Sequence, residues 1–177
     1  MKIIGQKINL RTPKASDAKS IYQNINNRAI LRYLLAPTPY RLSNSKKFII
    51  RVQKKLKKKE AYTFGIEDKN SKQIIGIISL NNISPKHQYA ELGYWLGQKY
   101  HRQGIMSEAL SLVLNFAFKK IKLNCVWAGT IKENIASQKL LKKYGFQAAG
   151  NMKKFLKINQ RWHDDLRWQL LKDDYKK

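Results

Sequence analysis

The sequence has little of what disulfide scaffolds, metal centres and membrane spans require. Its 177 residues contain one cysteine and three histidines. A single cysteine, Cys125, cannot form an internal disulfide, which fits a reducing compartment, and we interpret it as a small apolar side chain. Because His87, His101 and His163 are scattered and the cysteine stands alone, no metal site is predicted.

Long hydrophobic runs are also missing. No apolar stretch approaches the 18 residues of a membrane-spanning helix, and the N-terminal segment lacks the apolar core of a targeting signal. The length and the 43% hydrophobic content suffice for one core without cross-links. We therefore expect one soluble, cytoplasmic domain over residues 1–177 that makes no membrane contact.

Acidic residues are scarce. Eleven acids stand against 36 basic residues, which gives a formal charge of +25. This charge favours non-specific affinity for nucleic acid or another anionic partner. Lysine dominates over arginine, however, and arginine is the better phosphate reader, so compositional bias explains the excess equally well. The lysine-rich helix predicted from Ser43 or Ser45 onward is either a solvated face or a docking surface for an acidic partner or RNA.

Hydrophobic periodicity and turn residues predict an α/β domain without internal linkers or repeats. Three closely spaced β-like runs in the middle of the chain imply an antiparallel meander. The predicted strands are Gln6–Arg11, Tyr62–Glu67, Ile74–Asn82, Gln88–Leu96, Leu123–Thr130, Phe146–Lys157 and Arg161–Leu171. The predicted helices begin after Ser16-Asp17, within Ala29–Leu35, at Ser43 or Ser45, at 105 and, capped by Asn134, at Ala136.

One stretch organises the rest. The strand Glu91–Leu96 runs into a loop containing Gly104, and a helix follows from residue 105. The first turn of a helix has unpaired N–H donors and a partial positive charge, and a glycine lets an anion approach the backbone. This arrangement predicts a site for a phosphate-bearing ligand. The alternative is a glycine that merely turns the chain.

Two separated motifs carry a resemblance to a known family. The run ELGYWLGQKYHRQGIMSEAL and the later run KENIASQKLLKKYGF resemble the GNAT acetyltransferases, and within them the RimJ/RimL-type N-acetyltransferases. The opening LRTPKASDA and the ending INQRWHDDLRWQLL, with Asp164 at the position of a recurrent acid, are also similar. The resemblance implies a single mixed, mostly antiparallel sheet of about seven strands flanked by about four helices. This sheet would be splayed between its fourth and fifth strands.

The resemblance further implies acetyl-CoA as co-substrate, with its pyrophosphate held by backbone N–H groups of the central loop. The strand Tyr94, Trp95 and Leu96 would flank the pantetheine and supply an oxyanion N–H from Trp95 or Leu96, and Asn134 would face the pantetheine arm or the thioester. His101 departs from the family pattern. The expected loop residues are Arg102, Gln103, Gly104, Ile105, Met106 and Ser107.

Two residues are candidates for the chemistry. Glu91 lies where the family often places the carboxylate that accepts the amine proton; alternatively, it is a charge on an exposed strand. The tyrosine that many members use as acid is replaced by Leu141, and Tyr144 precedes Gly145 instead. Ser137 matches the serine of RimL-type enzymes, although it can equally be a capping residue.

The acceptor is expected to be a protein or peptide amine, such as the N-terminus of a ribosomal protein. A polyamine or aminoglycoside would need an acidic pocket, for which Glu60, Glu67, Asp68 and Glu91 are available. The third interpretation is a catalytically silent module that binds RNA or protein. Loops around residues 27–42 and 152–162 would form the acceptor side. The sequence is compatible with a monomer and with a homodimer.

Overall fold

The fold is built on one eight-stranded sheet in the computed structural model, which describes residues 1–176. The strands are β1 (Lys2–Ile4), β2 (Ile8–Arg11), β3 (Tyr62–Asp68), β4 (Ile74–Ser84), β5 (Tyr89–Leu96), β6 (Cys125–Ile131), β7 (Gln147–Ile158) and β8 (Arg161–Leu171). The helices are α1 (Ala18–Ile25), α2 (Arg28–Leu31), α3 (Leu42–Lys57), α4 (Ile105–Asn115) and α5 (Ile135–Lys143). No helix among these residues is long and apolar enough to cross a membrane.

The sheet order is β1-β2-β3-β4-β5-β6-β8-β7, and every neighbouring pair is antiparallel except β5 and β6. This confirms the predicted mixed, mostly antiparallel sheet and its central meander. The sequence reading missed β1, whose three residues are too few to show a period and which pairs only with β2. It also merged the α4 helix with the π-helical turn Phe116–Lys120 that continues it.

The two faces of the sheet bury different helices. On β5, Ala90, Leu92 and Leu96 join the main core with Ala109 and Leu110 of α4. Trp95 packs on the opposite face, against the clusters that contain residues of α1 and α3. Because strand side chains alternate between faces, Glu91 shares the Trp95 face, whereas Tyr94 shares the face of α4 and α5.

The sheet opens between β5 and β6. These strands pair in parallel from Tyr89 with Cys125 to Glu91 with Trp127, and the pairing ends there. The remainder of β5 continues to Leu96 beside β4, while β6 continues to Ile131 beside β8. The two strands therefore diverge into a V-shaped gap with Glu91 and Trp127 at its apex. This is the predicted place, because β5 and β6 are the fourth and fifth of the seven strands predicted from sequence.

Candidate active site

The loop between β5 and α4 is held in a defined shape. A 3-10 turn, Gln98–Tyr100, follows β5, and Gly104 adopts a left-handed conformation with φ of 77° directly before α4. The His101 Nε2 lies 2.9 Å from the carbonyl oxygen of Leu96 and donates to it, which ties the loop to the end of β5. His101, the residue that departs from the family pattern, thus has a structural task.

Six consecutive backbone N–H groups, those of residues 102–107, have no acceptor within the described chain. The first hydrogen bond of the helix runs from Glu108 N to Gly104 O at 3.0 Å, so the N–H groups of residues 105–107 point out of the helix end. We call these six groups the anion cradle. Their number and the positive end of α4 suit a phosphate-bearing ligand.

Charge around the anion cradle favours an anion as well. Lys7 places its Nζ 3.0 Å from Gln103 O and 3.7 Å from where a Cβ on Gly104 would lie. The one acid in the first turn of α4, Glu108, accepts hydrogen bonds from the backbone N–H groups of Gln6 and Lys7. Its charge is therefore turned toward the β1–β2 connection. Lys7 was not a sequence candidate, because nothing local links it to a loop 96 residues away.

Some backbone N–H groups of β5 point into the gap between β5 and β6. Gly97 N donates to Ile75 O of β4 at 2.8 Å, and strand geometry alternates the direction of successive residues. The N–H of Trp95 therefore points to β4, while those of Tyr94 and Leu96 point to the gap. Of the two oxyanion donors predicted from sequence, Leu96 has the suitable direction and Trp95 does not.

Ser137 and Tyr94 meet on the α5 side of the gap. The Ser137 Oγ and the Tyr94 Oη are 2.7 Å apart, and the Ser137 N–H donates to Asn134 Oδ1 at 3.2 Å. Burial raises the pKa of Tyr94 to about 12, against a smaller opposing effect of the Ser137 hydrogen bond. Both hydroxyls thus keep their protons near neutral pH. Asn134 caps α5 as predicted, which leaves its Nδ2 available for other contacts.

Glu91 lies on the other face of the sheet, at the apex of the gap. Its Oε2 accepts a hydrogen bond of 2.7 Å from Asn82 Nδ2, and the side chain is partly exposed. The two predicted catalytic residues are therefore separated by the sheet, with the gap as the passage between their faces. Leu141, at the position of the missing tyrosine, is fully buried in the main core. The Tyr144 hydroxyl donates to Ser107 O and braces α5 against the start of α4.

A row of side chains that sequence reasoning missed continues from Glu91 along the same face. Trp127 is the register partner of Glu91 on β6, and Arg167 of β8 places its guanidinium 4.8 Å from the Trp127 ring centre. The same guanidinium lies 5.2 Å from the ring of Phe155 on β7. Because Glu91 is the predicted base for the acceptor amine, we call Glu91, Trp127, Arg167 and Phe155 the acceptor row. The alternation of β8, which buries Trp168 and Leu170, is the signal that places Arg167 on this face.

The acids that could have formed a polyamine pocket are dispersed. Glu67 pairs with Arg11, Glu60 lies 3.8 Å from Lys58, and the Asp68 carboxylate binds Ser71. Burial alone would raise the pKa of Glu67, but the hydrogen bonds from Arg11 and Asn9 and the neighbouring positive charges together lower it. Asp164 accepts from the backbone N–H of Lys154 at 2.9 Å. Among residues 1–176, no three histidine, cysteine or acidic side chains gather in a way that could hold a metal ion.

Comparison with known proteins gives matches at the level of the family. The model of the acetyltransferase (GNAT) domain matches residues 7–147. The chain is 37% identical over 126 residues to Probable N-acetyltransferase YjcK of Bacillus subtilis, covering 71% of this chain and 70% of that one.

Solved structures share the whole fold. The ribosomal-protein-S5-alanine acetyltransferase from Vibrio fischeri superimposes with a TM-score of 0.88 at 27% identity, with both chains fully covered. The ribosomal L7/L12 alpha-N-protein acetyltransferase RimL, solved in complex with coenzyme A, has a TM-score of 0.88 at 23% identity and supports the fold alone. It covers 97% of this chain and 98% of its own. The chain belongs to the GNAT family of acetyltransferases and is related to the ribosomal-protein N-acetyltransferases of the RimJ/RimL type.

Proposed function

We propose that this enzyme transfers an acetyl group from acetyl-CoA to the N-terminal α-amine of a protein, with a ribosomal protein as the target. The observation that carries the proposal is the anion cradle, which lies at the end of β5 and beside the gap between β5 and β6. An anion site next to an opened pair of strands suits a ligand with a charged middle and an extended arm. The related acetyltransferases named for ribosomal proteins support the acceptor class.

Acetyl-CoA, when bound, supplies an activated acetyl thioester. The N–H groups of Arg102, Gln103, Gly104, Ile105, Met106 and Ser107 would hold its pyrophosphate, and the ammonium of Lys7 adds charge there. Along the gap, the backbone of Tyr94, Trp95 and Leu96 would flank the pantetheine arm, with the Leu96 N–H positioned to meet an oxyanion. The free Nδ2 of Asn134 would contact the arm from α5. No residue in this arrangement calls for a metal.

The acid–base residues lie on the two sides of the gap. An α-amine has a pKa of about 8, so a modest base suffices to remove its proton. Glu91, on the open face and held by Asn82, is our candidate for that base. On the other side, Ser137 would keep a proton for the departing sulfur, and the neighbouring Tyr94 hydroxyl would support it. The attacking amine and the departing sulfur thus face different residues.

The charge distribution favours a peptide acceptor over a polycationic small molecule. Glu60, Glu67 and Asp68 are engaged elsewhere, so of the four acids considered only Glu91 lies at the gap. A polyamine or aminoglycoside would approach a protein whose formal net charge is +25, and long-range repulsion would disfavour it. A peptide N-terminus carries one charge and can approach Glu91 alone. Because ribosomal proteins are made by translation in the cytoplasm, such an acceptor would place the enzyme there.

The test has two steps. Acetyl-CoA should raise the melting temperature of the purified protein, since a ligand that binds only the folded state stabilises it. An acetyl-transfer screen should then favour N-terminal peptides of ribosomal proteins over N-acetylated versions of the same peptides, polyamines and aminoglycosides. A melting temperature that acetyl-CoA leaves unchanged would point to a silent GNAT-like module. Preferential transfer to a polyamine or an aminoglycoside would replace the acceptor class.

A further inference from the structure

The acceptor row ends in an arginine that is more rigidly held than a surface arginine needs to be. The guanidinium of Arg167 lies 4.8 Å from the ring centre of Trp127 and 5.2 Å from that of Phe155. Its Nη2 forms an ion pair of 2.8 Å with Asp165, whose side chain is only 3% exposed. Two rings and a buried carboxylate fix the plane of the guanidinium, so little conformational entropy is lost when it binds a ligand.

Most donors of this guanidinium have no acceptor. Within the described chain only Nη2 has a partner, and Nε is buried without one. Asp165 has its own unpartnered oxygen, Oδ1, pressed against β6 where a Cβ on Gly129 would lie 2.8 Å away. Burial raises the pKa of Asp165 more than Arg167 lowers it, so the aspartate is a reluctant counter-ion. The arginine therefore retains capacity for a second oxygen ligand.

The surroundings of Arg167 select the sign of that ligand. Residues 147–171, which span β7 and β8, contain five basic and two acidic side chains, and the other acid, Asp164, is bound to the backbone of Lys154. The Phe155 side chain is 47% exposed and offers an apolar surface beside the charge. An acidic side chain of a peptide fits both features, because its carboxylate can bind the guanidinium while its chain lies over the ring.

We propose that Arg167 is a specificity subsite that recognises an acidic side chain near the N-terminus of the acceptor. This proposal rests on the proposed function, since it assumes that the amine is acetylated beside Glu91. The guanidinium lies over Trp127, one strand from Glu91, and its own strand is one further away. With strands about 5 Å apart, the distance is roughly 5 to 10 Å, or about one to three residues of extended peptide beyond the first. The acid should therefore occupy the second to fourth residue.

The experiment compares matched peptides with the full-length enzyme and acetyl-CoA. One peptide carries aspartates at the second to fourth residues, one carries asparagines there, and one carries the aspartates at the eighth to tenth residues. We expect kcat/KM for the first to exceed both others by about tenfold, the scale of a charged hydrogen bond. Arg167→Met should reduce this ratio to near one. Arg161→Met, which removes an exposed charge from the same strand, should keep it.

Different results overturn different statements. Equal rates on the first two peptides, or a ratio that survives Arg167→Met, would overturn the subsite while leaving N-terminal acetylation intact. An equal loss in Arg161→Met would reduce the effect to general surface charge and also overturn it. Strong inhibition by single-stranded RNA together with no preference among peptides would identify the row as a nucleic-acid contact instead. Acetyl-CoA binding without acetylation of any peptide would overturn both this inference and the proposed function.

Because substitution of Arg167 leaves Asp165 buried without a counter-ion, folding needs its own check. Phe155→Leu keeps the ion pair and removes only the outer ring, so it should fold normally and lower the preference for the acidic peptide severalfold. Thermal melts of all variants would separate a loss of structure from a loss of recognition. A Phe155→Leu enzyme that melts normally and retains the full preference would overturn the role assigned to the stacked guanidinium.

Discussion

The two sides of the gap are built from different materials. The proposed cofactor side consists of backbone N–H groups from one contiguous stretch, residues 102–107, and of hydroxyls on α5 and β5. The proposed acceptor side consists of side chains contributed by four different strands, namely Glu91, Trp127, Arg167 and Phe155. A backbone cradle depends on chain conformation and tolerates changes of side chain. Side chains in a row can be altered one at a time while the backbone keeps its course, although Arg167 also serves as the counter-ion of the buried Asp165.

This difference suits an enzyme family in which the donor is constant and the acceptor varies. Side chains at Arg102 and Gln103 are exposed, and the cradle uses their amides. In contrast, each member of the acceptor row contributes the chemistry of its own side chain. Substitutions on the acceptor side should therefore change turnover and selectivity, whereas within residues 102–107 only those that alter the backbone should weaken acetyl-CoA binding.

The largest effect is expected from Glu91→Gln. The glutamine can still accept the hydrogen bond from Asn82, so the geometry is kept while the capacity to take a proton is lost. We expect kcat at neutral pH to fall by about a hundredfold, the lower range for loss of a general base. The Kd for acetyl-CoA, measured by calorimetry, should stay within about twofold, since Glu91 faces the acceptor.

Glu60→Gln is the matched control, because Glu60 is an exposed acid that pairs with Lys58 at 3.8 Å. Its turnover should equal that of the unmodified enzyme. If Glu91→Gln also turned over normally, Glu91 would be an ordinary surface charge and the base would have to be sought elsewhere.

The second-largest effect is expected from a substitution that distorts the backbone of the anion cradle. Gly104 has a φ of 77°, a conformation that valine strongly disfavours. Gly104→Val should therefore distort the anion cradle and raise the Kd for acetyl-CoA by about tenfold or more, given a strain of about 1–3 kcal/mol. Calorimetry on folded protein measures this. Gly150→Val is the control, since Gly150 lies in β7 with open space around it and should bind normally. Normal binding by Gly104→Val would remove the cradle from the site.

The same difference explains what the sequence could predict. The cradle lies within residues 91–110, where one strand, one glycine and one helix start predicted an anion site from local pattern and the family resemblance then supplied its residues. The gap was implied by the family resemblance. The contacts of Lys7 with Gln103, of Tyr94 with Ser137 and of Arg167 with Trp127 join residues between 40 and 96 positions apart, and periodicity gives no information about such pairs. The three-residue β1 was missed because it is defined only by its partner.

A smaller effect is expected from Ser137→Ala. The substitution removes one hydrogen-bond donor near the departing sulfur, so kcat should fall by about tenfold while α5 keeps its backbone cap from Asn134. Tyr94→Phe should reduce kcat less, since it removes only the partner of Ser137. Single-turnover rates measure both.

Ser43→Ala is the matched control for the serine, because Ser43 is an exposed serine in the first turn of α3. It should turn over like the unmodified enzyme. Wild-type rates in Ser137→Ala would demote Ser137 to a residue that only organises the first turn of α5, and would leave the acid unassigned.

The smallest expected effect concerns kcat/KM at alkaline pH, which should not decrease. The acceptor side should set the pH profile, because kcat/KM rises as the α-amine loses its proton near a pKa of about 8. The cofactor side should add nothing, since burial raises the pKa of Tyr94 to about 12 and the phenol stays protonated below that value. After correction for spontaneous hydrolysis of the thioester, kcat/KM should therefore remain level up to a pH of about 10. Tyr94→Phe should give a lower curve of the same shape. If the native curve fell between pH 9 and 10 and the Tyr94→Phe curve did not, Tyr94 would be ionising there, and proton transfer on the cofactor side would depend on the phenol rather than on Ser137.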